Sequence, residues 1–305
     1  MRKMKGLLTL ILMFSIFKSN SQDIFFGDYK KPDLLQKLEE YQRADGQTWE
    51  WLGFYIEYDH HYSATPLDVI PFAGTGGDGI HFGFLTDFGS TTDLDKAPVV
   101  CVSPTNDPPI KLVAKNLIDF LCLVAAISHA EFLDEDYETD EEVKTRLQEW
   151  DEVSEKDWQG NPLPKDEIEQ MKQITAETKQ GRNQLTKVLK EQFHIDPMPN
   201  VSEYIKDLRD TRQTDITIKT SDDIGIKFQT DKLTVQGFDY NIKNNNQVKD
   251  YLDKASEPER LKFYRDATYH YILNKNYDYD IKKTITASLK KDGYEREAKI
   301  LEKKY

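Results

Sequence analysis

Three features of this 305-residue chain predict an α+β fold. A glycine cluster, Gly74, Gly76, Gly77 and Gly79, interrupts apolar residues and demands a tight reversal inside a sheet, because such positions need backbone angles that a Cβ resists. Short β-favouring runs surround it, of which VVCVS at residues 99–103 after Pro98 is the clearest. The second half instead carries apolar residues at helical spacing, which predicts a mostly α-helical region holding one short β-meander.

Composition narrows the function classes. With 38% hydrophobic and 31% charged residues, the chain is a soluble globular type with an adequate core and the length for two domains. Asp and Glu outnumber Lys and Arg by 54 to 41, a net charge of −13. That field repels phosphate backbones, so no nucleic-acid partner is expected, and it attracts a basic protein partner.

Residues 1–21 read as a secretory signal: Arg2, Lys3 and Lys5 precede an apolar run at residues 6–17, and Ser19 and Ser21 offer small side chains for cleavage. The run, about twelve residues, is short of the roughly twenty that span a bilayer, so no membrane span is expected in the mature chain. Cleavage would remove four cations and take the charge from −13 to −17. The protein is then periplasmic or secreted; the alternative is a cytoplasmic protein with a later start. Cys101 and Cys122 both sit among apolar neighbours and read as free, buried thiols, although an exported chain leaves a disulfide open.

Along the chain, Leu34, Leu35, Leu38 and Tyr41 share one helical face after Pro32, and Asp45-Gly46 ends that helix. Six aromatics between Trp49 and Tyr62 follow, with strand and short helix both open. Ile80, Phe82 and Phe84 alternate with His81, Gly83 and Leu85 as a strand, a second strand is expected near Ile110, and an almost wholly apolar helix runs through Leu117, Phe120, Leu121, Val124 and Ile127. Seven acidic residues from Asp134 to Glu142 mark an exposed linker or a helix start. Residues 166–193 form a long amphipathic helix softened at Gly181, and a further helix follows Asn200. Short strands are expected around Ile216, Ile218, Ile224, Ile226, Phe228, Leu233 and Val235. Ser256 and Glu259 make a capping box, and Ile281, Ile285 and Leu289 repeat at four-residue steps before a last helix.

PFAGTGGDGIHFGF at residues 71–84, PVVCVS at 98–103 and VAKNLIDFLCLV at 113–124 together resemble the later half of the SUKH superfamily, over roughly residues 34–133. The resemblance implies a mixed sheet with packed helices. It gives Gly74, Gly76, Gly77, Asp78 and Gly79 the structural role of the family's turn, and it implies a protein that neutralises a toxin or regulates through protein contacts. A basic toxin is the partner it suggests. The early family signature is not found near the first helix, and immunity domains usually lack an export signal. The predicted organisation is a signal at 1–21, a SUKH-like domain at 22–135, an acidic linker at 136–165 and a mostly helical region at 166–305.

No catalytic residue, cofactor or metal is assigned. GTGGDG at residues 74–79 matches the spacing of a dinucleotide fingerprint, but that motif needs a helix directly after it and a strand follows here. DFG at residues 87–89 lacks a kinase's upstream lysine strand and catalytic loop. None of the six histidines pairs at i, i+4 for zinc. Asp78, His81 and Asp87 invite an acid/base group, yet His81 and Asp87 would lie about 20 Å apart on a straight strand at roughly 3.3 Å per residue. The plainer reading gives Asp78 to capping the turn and the other two to solvent. The function expected is that of a non-enzymatic protein-binding protein acting through an acidic surface. The alternative is an exported enzyme or carbohydrate-binding protein that uses the aromatics between Trp49 and Tyr62.

Overall fold

A computed structural model describes residues 25–44, 49–59, 61–228, 235–270 and 278–303. The signal assigned to residues 1–21, the stop at Asp45-Gly46, His60 and Leu233 lie outside them. The first helix that lies wholly within the described residues is α1 (Asp33–Ala44), which buries Leu35 and Leu38, and a single 3-10 turn at Trp49–Leu52 comes after it.

Five strands follow: β1 (Tyr55–Ile56), β2 (Val69–Gly74), β3 (His81–Leu85), β4 (Val99–Val102) and β5 (Ile110–Ala114). They pair in sequence order, and every pairing is antiparallel, so the sheet is a simple meander rather than mixed. The β2–β3 ladder shifts register between Pro71 and Ala73, at a residue with no N–H to give the ladder. The glycine cluster makes the reversal between β2 and β3: Gly76 and Gly79 hold φ of +86° and +71°, where an L side chain is strained.

Both faces of the sheet are covered, which is why β3 and β4 are buried at every position. On one face Phe72 and Phe82 meet Phe120 of α2 (Leu117–Ile127), and Phe84 stacks on Phe72 at 4.5 Å between ring centroids. The side chain of Asn116 caps α2 by accepting from Asp119 N. α3 (Asp140–Trp150), capped by Thr139, and the 29-residue α4 (Lys165–Phe193) extend this core, with Leu185 and Leu189 buried. On the other face Val69, Leu85, Val100, Val102, Ile110 and Leu112 pack under Leu208 of α5 (Val201–Asp215) and Ile224. The expected meander is one antiparallel bridge, Ile218 to Ile226, among the described residues.

A second core lies beyond: α6 (Asn245–Lys254), α7 (Glu257–Tyr269), α8 (Tyr279–Lys291) and α9 (Glu295–Lys303) bury Leu252, Tyr264, Ile285 and Leu301 together. The Ser256–Glu259 capping box forms as expected. Leu67 and Phe88, from the loops beside β2 and β3, belong to this core and tie it to the sheet.

Buried charge reinforces the joint. Arg212 binds Asp87 through both terminal guanidinium nitrogens, at 2.9 and 2.6 Å. Arg265, without solvent exposure, donates to Asp68 at 2.6 Å and to Asp222 at 3.1 Å. Arg296 donates to the carbonyls of Phe25, Leu67 and Val69. The expectation that Asp87 and His81 face solvent is thus corrected: both are buried, because β3 is covered on each side and Arg212 meets the Asp87 charge. Three carboxylates share two guanidiniums, and Asp68 Oδ1 has no hydrogen-bond partner. Burial pushes the Asp68 carboxyl up to about 6; Arg265 opposes the shift and Asp87 adds to it.

Candidate functional site

The turn at Trp49–Leu52 sends its two tryptophans opposite ways. Trp49 is fully buried, donates its indole N–H to Leu38 O at 3.1 Å and stacks on Phe54. Trp51 points outward and is 44% exposed. Facing it across a groove is Trp150, at the end of α3 and 46% exposed. The groove has a volume of about 710 Å³ and is walled along one side by α4 through Ile174, Thr178 and Leu185.

Two glycines let rings lie against backbone here. A Cβ on Gly181 would stand 2.7 Å from Trp51 Cγ, so the indole can rest on α4 only at a glycine. A Cβ on Gly53, whose φ is +74°, would stand 2.6 Å from His129 Nδ1. The His129 ring sits beside Trp150 and Phe132, at 5.3 and 5.0 Å between centroids. Burial lowers its pKa to about 4, with Arg182 and Arg146 adding to the shift, so the imidazole is neutral at neutral pH.

Carboxylates supply the charge of the lining. Asp151 binds Arg182 at 2.5 Å and Lys179 at 3.4 Å, while Glu50 is exposed and its carboxylate has no ion-pair partner among the described residues. Arg146 lies over the rings of Phe132 and Trp150, 4.5 and 5.7 Å from their centroids. α3 and its flanks expose Glu138, Glu141, Glu142, Glu149, Glu152 and Glu155, against Lys144 and Lys156 in the same stretch. The run that begins this stretch is therefore mostly helix α3 and its approach, with one exception. Asp134 is buried and accepts from Ser103 Oγ at 2.7 Å and from Asn106 Nδ2.

The residues singled out from the sequence fall elsewhere. Gly74 ends β2, Gly77 and Asp78 are exposed at the hairpin tip, and Gly79 lies under Tyr62. Asp78 does not cap the turn: Thr75 Oγ1 does, donating toward Gly77 O and Ile80 O, because Asp78 itself takes the left-handed conformation and its side chain turns to solvent. His81 contacts Gly79 O at 2.7 Å and Thr65 Oγ1 at 3.1 Å, a local structural set. Cys101 and Cys122 are unpaired, and burial raises both thiols. No group of three His, Cys, Asp or Glu side chains among the described residues is placed to hold a metal ion. Nor is any described helix long and apolar enough to cross a membrane.

Sequence reasoning had Trp51 within the aromatic stretch from Trp49 to Tyr62, but it did not join that stretch to Trp150, His129 or Ile174. A signal existed in Gly181: glycine inside a long amphipathic helix disfavours it by about 1 kcal/mol, which suggests something packs closely there. Comparison with known proteins finds no matching family model and no matching curated protein.

Proposed function

We propose that this chain is a non-enzymatic protein-binding protein, immunity-like or regulatory in role, that acts through its acidic face. The observation that carries the reading is the coincidence of two half-exposed tryptophans across one groove with the exposed carboxylates of α3 and its flanks. Large aromatic side chains beside a water-excluding groove are the usual anchors of a protein interface. Negative potential around them raises the encounter rate with a basic partner. The glycine hairpin, the apolar strand after it and the closing helix are also the stretch that resembles SUKH domains, whose members act by contact. The groove's Thr175, Thr178 and Gln184 leave a second reading, the binding of a carbohydrate between Trp51 and Trp150.

Affinity capture from the native host tests the proposal. The full chain is expected to retain a specific protein, and retention is expected to fall in a variant with Glu141, Glu142, Glu149 and Glu152 changed to Gln, more steeply in low salt than in high. Capture of polysaccharide alone, or of the same proteins by both chains at every ionic strength, contradicts it.

A further inference from the structure

We infer that the groove between Trp51 and Trp150 receives a cationic side chain, an arginine in preference to a lysine, presented by the partner. This rests on the protein-binding reading above and names what that partner inserts. Among the described residues the groove's lining holds two carboxylates, Glu50 and Asp151, and its nearest cations, Lys179 and Arg182, are those bound to Asp151. Asp151 is already held by Arg182 and Lys179, so Glu50 is the anion left over for an incoming charge.

The walls suit a flat cation. An indole face attracts a guanidinium more than any other side-chain ring does, and a guanidinium, being weakly hydrated and planar, can stack on it while its N–H groups reach a carboxylate. The chain already shows this chemistry next door, where the Arg146 guanidinium lies over Phe132 and Trp150. Trp51 has Gly181 against its ring and is 44% exposed on the remainder, which leaves indole surface for a second cation. Because His129 stays neutral, no imidazolium repels it at neutral pH.

The test titrates the full chain with a capped hexa-arginine peptide, with the matching hexa-citrulline peptide and with cellohexaose, read by calorimetry and tryptophan fluorescence. Citrulline keeps the shape of arginine and removes its charge. The arginine peptide is expected to bind at least tenfold tighter than the citrulline peptide. Glu50→Gln is expected to weaken it several-fold, whereas Glu295→Gln, an exposed carboxylate at the start of α9 and outside the groove, is expected to change it little. Gly181→Ala, which keeps every charge and favours the helix, is expected to displace Trp51 and reduce binding tenfold with an unchanged circular dichroism spectrum.

Equal affinity for both peptides, equal effects of Glu50→Gln and Glu295→Gln, or binding of cellohexaose in their place would overturn the inference. If the native protein partner is captured equally by the Gly181→Ala chain, the cation site is wrong and protein binding through another face stands. If the wild-type chain captures no protein at all, the wider reading fails with it.

Discussion

Arg265 divides its guanidinium between Asp68 and Asp222 at full burial, and each of those carboxylates depends on it. Removing one member of a buried ion set leaves a charge without a partner, which destabilises by roughly 3–5 kcal/mol. Arg265→Met is therefore expected to lower the unfolding free energy by about that amount in chemical denaturation; a loss under about 1 kcal/mol would show that the network is not buried as described. Asp68 gives a pH signature. Its carboxyl titrates near 6 in the folded chain, above the usual value near 3.9 when unfolded, so between those limits the folded state holds more protons. Stability contributed by this group is then present below pH 4 and is lost as pH rises toward 6. Asp68→Asn is expected to gain on the wild type between pH 4.5 and 7.5 by at least about 1 kcal/mol, since one pKa unit corresponds to about 1.4 kcal/mol. A stability difference that stays constant across that range would contradict the assignment.

At the scale of elements, local pattern was informative and long-range pairing was not. The reversal at residues 74–79 was legible because glycines with positive φ leave a mark in composition, and the alternation of Phe82 and Phe84 with Gly83 and Leu85 fixed a strand after them. The capping box at Ser256 and the apolar stripe of α8 were legible for the same local reason. Burial of Asp68 and Asp87 was not, because their cationic partners stand 197 and 125 residues away in sequence. The groove was half legible: Trp51 lay in the aromatic stretch read from the sequence, but Trp150 joins it only when α3 and α4 pack on α2 and on the turn at Trp49–Leu52. One element-level prediction follows from the turn. Gly79→Ala forces an L side chain to φ +71° and places its Cβ 2.7 Å from Tyr62 Cζ, so it should destabilise the chain by about 1–2 kcal/mol or more. Gly77→Ala, with nothing within 4 Å, is the control and should be milder; equal effects would contradict the geometry of the turn.

Across the whole molecule, the sheet and the C-terminal helices share Leu67, Phe88 and the arginine network, which couples their folding. All four tryptophans, at positions 49, 51, 150 and 158, precede α4, whereas much of the helical signal comes from α4 to α9. Tryptophan fluorescence and far-ultraviolet circular dichroism are therefore expected to report one coincident unfolding transition. Two separated midpoints would show that the halves fold independently. The same architecture leaves most residues of α3 and of the N-terminal half of α4 exposed and free to meet another surface. Amide hydrogen exchange of the full chain, measured with and without a captured partner, addresses the central claim most directly. The account predicts added protection in residues 49–52, 146–151 and 171–182; protection confined to the C-terminal helices, with the groove unchanged, would contradict it.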